Sequence, residues 1–165
     1  MLKKLLILCI VLAPLAAMAQ NVKIGYINTQ EVFSAMPELS GIENQLSTKQ
    51  EEISKDGQAL IDEYNKKAEE FEAAASTASD LVKQDQQKQL LQIQERYQLF
   101  LQNSQQVMTQ LQQQLLEPVN KKIHDAIQAV GAEHNFTYVL DVAAVVYVSP
   151  TAENVTPLVK TKLGL

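Results

Sequence analysis

From Glu38 to Glu117 the chain runs without a proline and with only two glycines, Gly41 and Gly57. Apolar residues recur along it at helical spacing: Leu39, Ile42, Leu46, Ile53, Leu60, Tyr64 and Phe71, then Leu90, Ile93, Tyr97, Leu101, Met108, Leu111 and Leu115. The steps are mostly three, four or seven, so each helix carries one narrow apolar stripe and is polar elsewhere. That width suits the seam of a coiled coil rather than the broad buried face of a globular helix. Helices of this kind have no core of their own, so an anchor must come from the two ends of the chain.

Within the long stretch, Ser76-Thr77-Ala78-Ser79-Asp80 is the one cluster of residues that compete for backbone amides and favour a new helix start. It predicts a reversal, with one helix from about Glu38 towards Ala75 and a second from about Asp80; a single unbroken helix is the competing reading. At 1.5 Å per residue the first helix spans roughly 55 Å. Lys49, Asp56 and Gly57 occupy seam positions, so the stripe is imperfect there, and Gly57 weakens the helix by about 1 kcal/mol relative to alanine. The returning helix is rich in glutamine, with 14 of the 31 residues from Gln84 to Gln114. These surround the apolar stripe in period and form an uncharged solvated face.

The flanking segments read differently. Val22 to Ile27 alternates and is rich in β-branched residues, which predicts a strand. Asn28 and Glu31 have the spacing of a capping box and open a short helix carrying Val32, Phe33 and Met36. Pro37 closes that helix and suits the start of the next. Pro118 is expected to kink or break the returning helix. Beyond it Val119, Ile123, Ala126, Ile127 and Val130 continue an amphipathic helix closed by Gly131. Residues 136–141 and 145–148 then read as two strands joined by Val142-Ala143-Ala144. Thr156-Pro157 caps a last helix with Leu158, Val159 and Leu163 inward. The expected fold is α+β and mostly α, a long antiparallel coiled-coil-like hairpin (residues 38–117) inserted into a small β-containing oligomerisation body (residues 20–37 and 118–165). About 65 residues with three strands bury too little surface to be secure alone and leave two raw sheet edges. Association of several bodies answers both problems, without fixing their number.

Residues 1–19 have the form of a cleavable export signal: Lys3 and Lys4, an apolar run from Leu5 to Leu15, and Ala17-Met18-Ala19, with cleavage after Ala19. The only cysteine, Cys9, lies inside it, so the mature chain has no disulfide, thiolate metal site or cysteine nucleophile. The periplasm is the expected compartment. Without Lys3 and Lys4 the chain has 12 basic and 19 acidic residues, a net of −7, and the whole excess lies in the hairpin with 7 basic and 14 acidic residues. A negative surface disfavours nucleic acid and anionic membrane. His124 and His134 are the only histidines, and their spacing fits no helical metal pair. Neighbouring carboxylates such as Glu51-Glu52 diverge on a helix; Asp141 at a strand end is the one carboxylate of the body to weigh for acid–base work, and a turn-forming role is expected of it instead. No phosphate-binding glycine loop or nucleophile elbow is present. No catalytic residue, metal or cofactor is expected; the chain does not read as an enzyme.

The order of signal, strand, long helical insertion and closing strand and helix resembles the Skp/OmpH family of periplasmic chaperones. The resemblance rests on Lys23 to Asn28 with Val32-Phe33, and more specifically on the tail from Tyr138 to Ser149 with Val155-Thr156 and Leu158-Val159. It implies a homotrimer with helical arms around a cavity, acting as an ATP-independent holdase for unfolded outer-membrane proteins. Oligomerisation is then expected through Ile24, Tyr26, Val139, Leu140, Val145, Val146 and Tyr147. Client contacts are expected from Tyr64, Phe71, Leu81, Val82, Tyr97, Phe100, Val107 and Met108, each of which could instead simply pack the hairpin. Well-known members have basic arms, whereas this chain's are acidic, so no lipopolysaccharide site or membrane-surface contact is carried over. A periplasmic adaptor coiled coil that holds a folded partner at the hairpin tip is the alternative.

Overall fold

The computed structural model of the chain describes residues 22–74 and 76–165; the expected export signal and Cys9 lie outside the described residues. The elements are β1 (Ile24–Ile27), α1 (Thr29–Ser34), α2 (Glu38–Ala74), α3 (Asp80–Glu133), β2 (Tyr138–Asp141), a 3-10 turn (Val142–Ala144), β3 (Glu153–Asn154) and α4 (Thr156–Leu163). Two compact units result, one from residues 22–35 and 121–165 and the other from 36–120.

In the first unit β1 lies at the centre of a three-stranded parallel sheet of order β2-β1-β3. Gly25 pairs with Val139 and Ile27 with Asp141, while Ile24 pairs with Tyr138 and Tyr26 with Leu140. Alternation turns the first set to one face and the second set to the other. The inner face is closed by Ile27, Val32, Ile123, Ala126, Val130, Val155 and Val159, all buried. Gly25 is required here, because a Cβ on it would stand 2.9 Å from Val155 Cγ1 and 3.0 Å from Phe136. Backbone and side-chain bonds then lock the N-terminal strand to C-terminal partners. Val155 N donates to Tyr26 O at 2.9 Å and Thr137 N to Lys23 O at 2.8 Å. Asn28 N donates to the buried Thr156 Oγ1 at 3.0 Å, and the Thr29 hydroxyl donates to Asp141. Asn28 caps α1 by accepting from Glu31 N, as its spacing predicts.

Three expectations are corrected in this unit. Residues 145–148 are not a strand; the third strand is Glu153–Asn154. β2 and β3 both run parallel to β1 on opposite sides of it, and a return across β1 in the same direction needs more than a three-residue link. Asp141 instead accepts from Ala143 N and starts a 3-10 turn, and the valine- and tyrosine-rich run of Val145 to Val148 crosses over without pairing. Gly131 does not end α3. The helix continues to Glu133, and Asn135 stops it with φ of 56°. Phe136 N reaches Gly131 O at 2.9 Å and Asn135 N reaches Ala132 O at 3.3 Å, the paired bonds of a Schellman end. Finally, Thr156 is not the cap of α4: Val155 holds that position without a side-chain bond.

In the second unit α2 and α3 form an antiparallel pair around the reversal at residues 76–79, close to where the capping residues predict it. Among the described residues 36–120 only Met36, Ile42, Gly57, Ile93 and Val119 are buried, so the seam is thin. Gly57 lies in it against Phe100, whose Cε1 is 3.0 Å from where a Cβ would stand. The glycine admits the aromatic ring between the helices. Pro118 sits inside α3 and does not break it. The buried stripe of Val119, Ile123, Ala126 and Val130 proceeds at steps of four, three and four on the same helix, and that burial outweighs the roughly 3 kcal/mol that an interior proline costs.

Candidate functional site

Two surfaces carry apolar side chains that no other described residue covers. The first is the outer face of the sheet. Ile24 and Leu140 are exposed, Tyr138 is 60 % exposed, and Tyr26 is half-buried. The crossing segment adds Val146, fully exposed, and Tyr147. Ile24, Tyr26 and Leu140 with Val145, Tyr147 and Val148 border a groove of about 280 Å³. Of the residues expected to mediate oligomerisation, Ile24, Tyr26, Leu140, Val145 and Tyr147 thus come together, with Val146 beside them. Val139 is separate: it lies on the inner face, with Cγ2 at 3.9 Å from a Cβ built on Gly131. Tyr138 belongs to the outer face and is not among the residues that the sequence singles out. Strand alternation could have found it, since Tyr138 and Leu140 share a parity.

The second surface is the hairpin. Tyr64, Phe71, Tyr97, Phe100 and Met108 are half-buried along the seam, with Tyr97 stacked on Phe100 at 6.5 Å between centroids. Leu81, Val82 and Val107 are exposed, Leu81 at 77 %. Ile61, Leu91, Leu99 and Leu101 are also exposed. Leu101 thus stands outside the seam in which its spacing places it. Leu91 and Leu99 fall out of the apolar period, and that is the signal that would have marked them as surface residues.

The two sides of the hairpin differ in charge. On one side Arg96 makes a bidentate bond to Glu63 at 3.0 and 3.1 Å, and Lys67 pairs with Glu70 at 2.8 Å. The bond from Lys67 holds the Glu70 carboxyl below its ordinary range and, reciprocally, raises the Lys67 ammonium. On the other side Gln94 donates to the Tyr64 hydroxyl at 3.1 Å, and Leu60, Ile61, Tyr64, Leu91, Tyr97 and Gln98 line an open groove of about 520 Å³.

Among the described residues no three His, Cys, Asp or Glu side chains gather as a metal site, and no helix is long and apolar enough to cross a membrane. His124 pairs with Gln128 at 3.0 Å. Asp141 is engaged in the turn and with Thr29, the structural part its position suggests.

A comparison of the sequence with curated proteins yields no significant match. Among solved structures, the fold matches a protein from Caulobacter crescentus CB15 described as an OmpH-like outer membrane chaperone, with a TM-score of 0.72 and 17 % identity over 85 % of this chain and 82 % of that one. The family model for outer membrane proteins of the OmpH-like type matches residues 23–163, nearly all of the described chain. With the parallel sheet, the closing helix and the long helical insertion all in place, the chain belongs to the OmpH-like family.

Proposed function

We propose that this protein is an ATP-independent periplasmic holdase that assembles as a homotrimer and keeps unfolded outer-membrane proteins from aggregating in a cavity between its hairpins. The observation that carries the reading is the bare outer face of the sheet. Ile24, Tyr26, Tyr138 and Leu140 form one contiguous apolar patch in a unit too small to leave it in water without cost. Joining that face to other copies covers the patch and gives an assembly with several hairpins. A compartment without ATP requires binding by equilibrium contacts, and unfolded barrel strands present alternating apolar side chains that otherwise pair at their edges. Many weak contacts on hairpins hold such a chain without folding it.

The test is dilution of a urea-unfolded outer-membrane barrel into detergent-free buffer. With a stoichiometric amount of the protein and no nucleotide, turbidity stays low; turbidity unchanged at every ratio refutes the holdase. The exposed Leu81 and Val82 beside the hairpin turn favour a second reading, an adaptor that holds a folded partner at its tip. That reading gains if the protein leaves turbidity unchanged and a folded envelope protein is captured in a manner lost in Leu81→Ser.

A further inference from the structure

The sequence of the hairpin separates its two sides more sharply than its overall composition suggests. On α2, Lys49, Glu52, Asp56, Glu63, Lys67 and Glu70 follow one another at steps of three, four and seven, so they share a side. On the opposite side Gln50, Ser54, Gly57, Ile61, Tyr64 and Ala68 follow the same spacing without a charge. The returning helix repeats the division: Gln87, Leu91, Gln94, Gln98, Leu101 and Gln105 form an uncharged line. The groove of Ile61, Tyr64, Leu91 and Gln98 lies on this uncharged side, and the ion pair of Arg96 with Glu63 lies on the other. Among the described residues no lysine or arginine lines the groove, and Glu95 is the one acidic side chain at its rim.

We infer that this uncharged groove between α2 and α3 is where the hairpin grips its client, and that the occupant is an extended apolar segment of unfolded polypeptide flanked by lysine or arginine. The inference rests on the holdase reading and places its contact on one side of the hairpin. Three features point to that occupant. Leu91 and Ile61 give an apolar floor whose exposure no other described segment relieves. Glutamine amides offer both donors and acceptors, so they meet the backbone of an extended chain in whatever register it lies. The charge is complementary: the hairpin has twice as many acidic as basic residues, and three of its cations, Lys49, Lys67 and Arg96, are engaged in ion pairs with its own carboxylates. Acidic flanks are repelled by that field and basic flanks are drawn in.

The experiment uses the full mature protein and two fluorescent peptides with the same alternating apolar centre, one flanked by lysines and one by glutamates. Anisotropy titrations at low salt are expected to give roughly tenfold tighter binding of the lysine-flanked peptide, an advantage that shrinks as added salt shortens the screening length. Leu91→Ser and Ile61→Ser weaken both peptides several-fold, whereas Leu99→Ser, an equally exposed leucine on the charged side, leaves both unchanged. All three positions are on the surface, and circular dichroism confirms that the helices persist. Equal affinity for the two peptides, an equal loss in Leu99→Ser, or no binding of either peptide overturns the inference. Barrel aggregation measured on the same preparations separates the two readings. Suppressed turbidity with the wrong peptide pattern removes the groove and leaves the holdase; the expected peptide pattern with unaltered turbidity supports the groove and removes the holdase.

Discussion

Gly25 and Gly41 show how much a single position depends on what stands over it. A Cβ at Gly25 would meet Val155 and Phe136 inside van der Waals distance, at 2.9 and 3.0 Å. Gly25→Ala is therefore expected to lose about 1–3 kcal/mol of stability through overpacking. Nothing lies within 4 Å of a Cβ at Gly41 in α2, so Gly41→Ala should gain up to about 1 kcal/mol from helix propensity alone. Urea unfolding of the two variants checks both signs. At this scale the sequence speaks clearly where a side chain acts on its own neighbours. Asn28 with Glu31, and Asp141 at a strand end, are legible because capping and turning are local events. Val155 is not. It is fully buried over Gly25, yet it stands in a short polar segment with no period to mark it, and its partner is more than a hundred residues away.

Among the elements, the long helices follow directly from the spacing of Ile42, Leu60, Tyr64, Ile93 and Tyr97, and the reversal follows from Ser76 to Asp80. Punctuation was harder to read. Pro118 and Gly131 look like stops, but the buried stripe carries α3 past the proline, the helix runs on through the glycine to Glu133, and Asn135 in the left-handed region ends it. Asparagine adopts that conformation at modest cost and alanine does not. Asn135→Ala should destabilise the protein by about 1 kcal/mol, and Asn135→Gly should be neutral or stabilising. Thermal unfolding distinguishes this from an inert surface position, where both changes would be silent. The run from Val145 to Val148 is the converse case. Its β propensity is strong, but propensity reports fitness for a sheet surface rather than a partner, and among the described residues it finds none.

At the scale of the whole molecule, the exposed outer face of the sheet bears on how many copies associate. In sedimentation the mature protein is expected as one species of three chains. Leu140→Asp puts a carboxylate on the outer face, where it is solvated in a single chain and costly in an assembly. It should yield folded monomers with native circular dichroism. Val139→Asp, on the inner face, should unfold the sheet unit instead. A monomeric wild type, or identical behaviour of the two variants, removes this face from the assembly.

The bonds that hold β1 reach it from residues 137–156 on both sides. A ribosome therefore delivers the central strand first and its neighbours last, with the two long helices between them. The paired helices, with contacts such as Gln94 to Tyr64 at a separation of 30 residues, can zip up before the C-terminal residues emerge. The sheet has no such head start: its loops close only after the C-terminal residues emerge. Any copy released before its last thirty residues lacks both flanking strands and has a bare edge on either side of β1, so it can neither close its inner face nor form the outer patch.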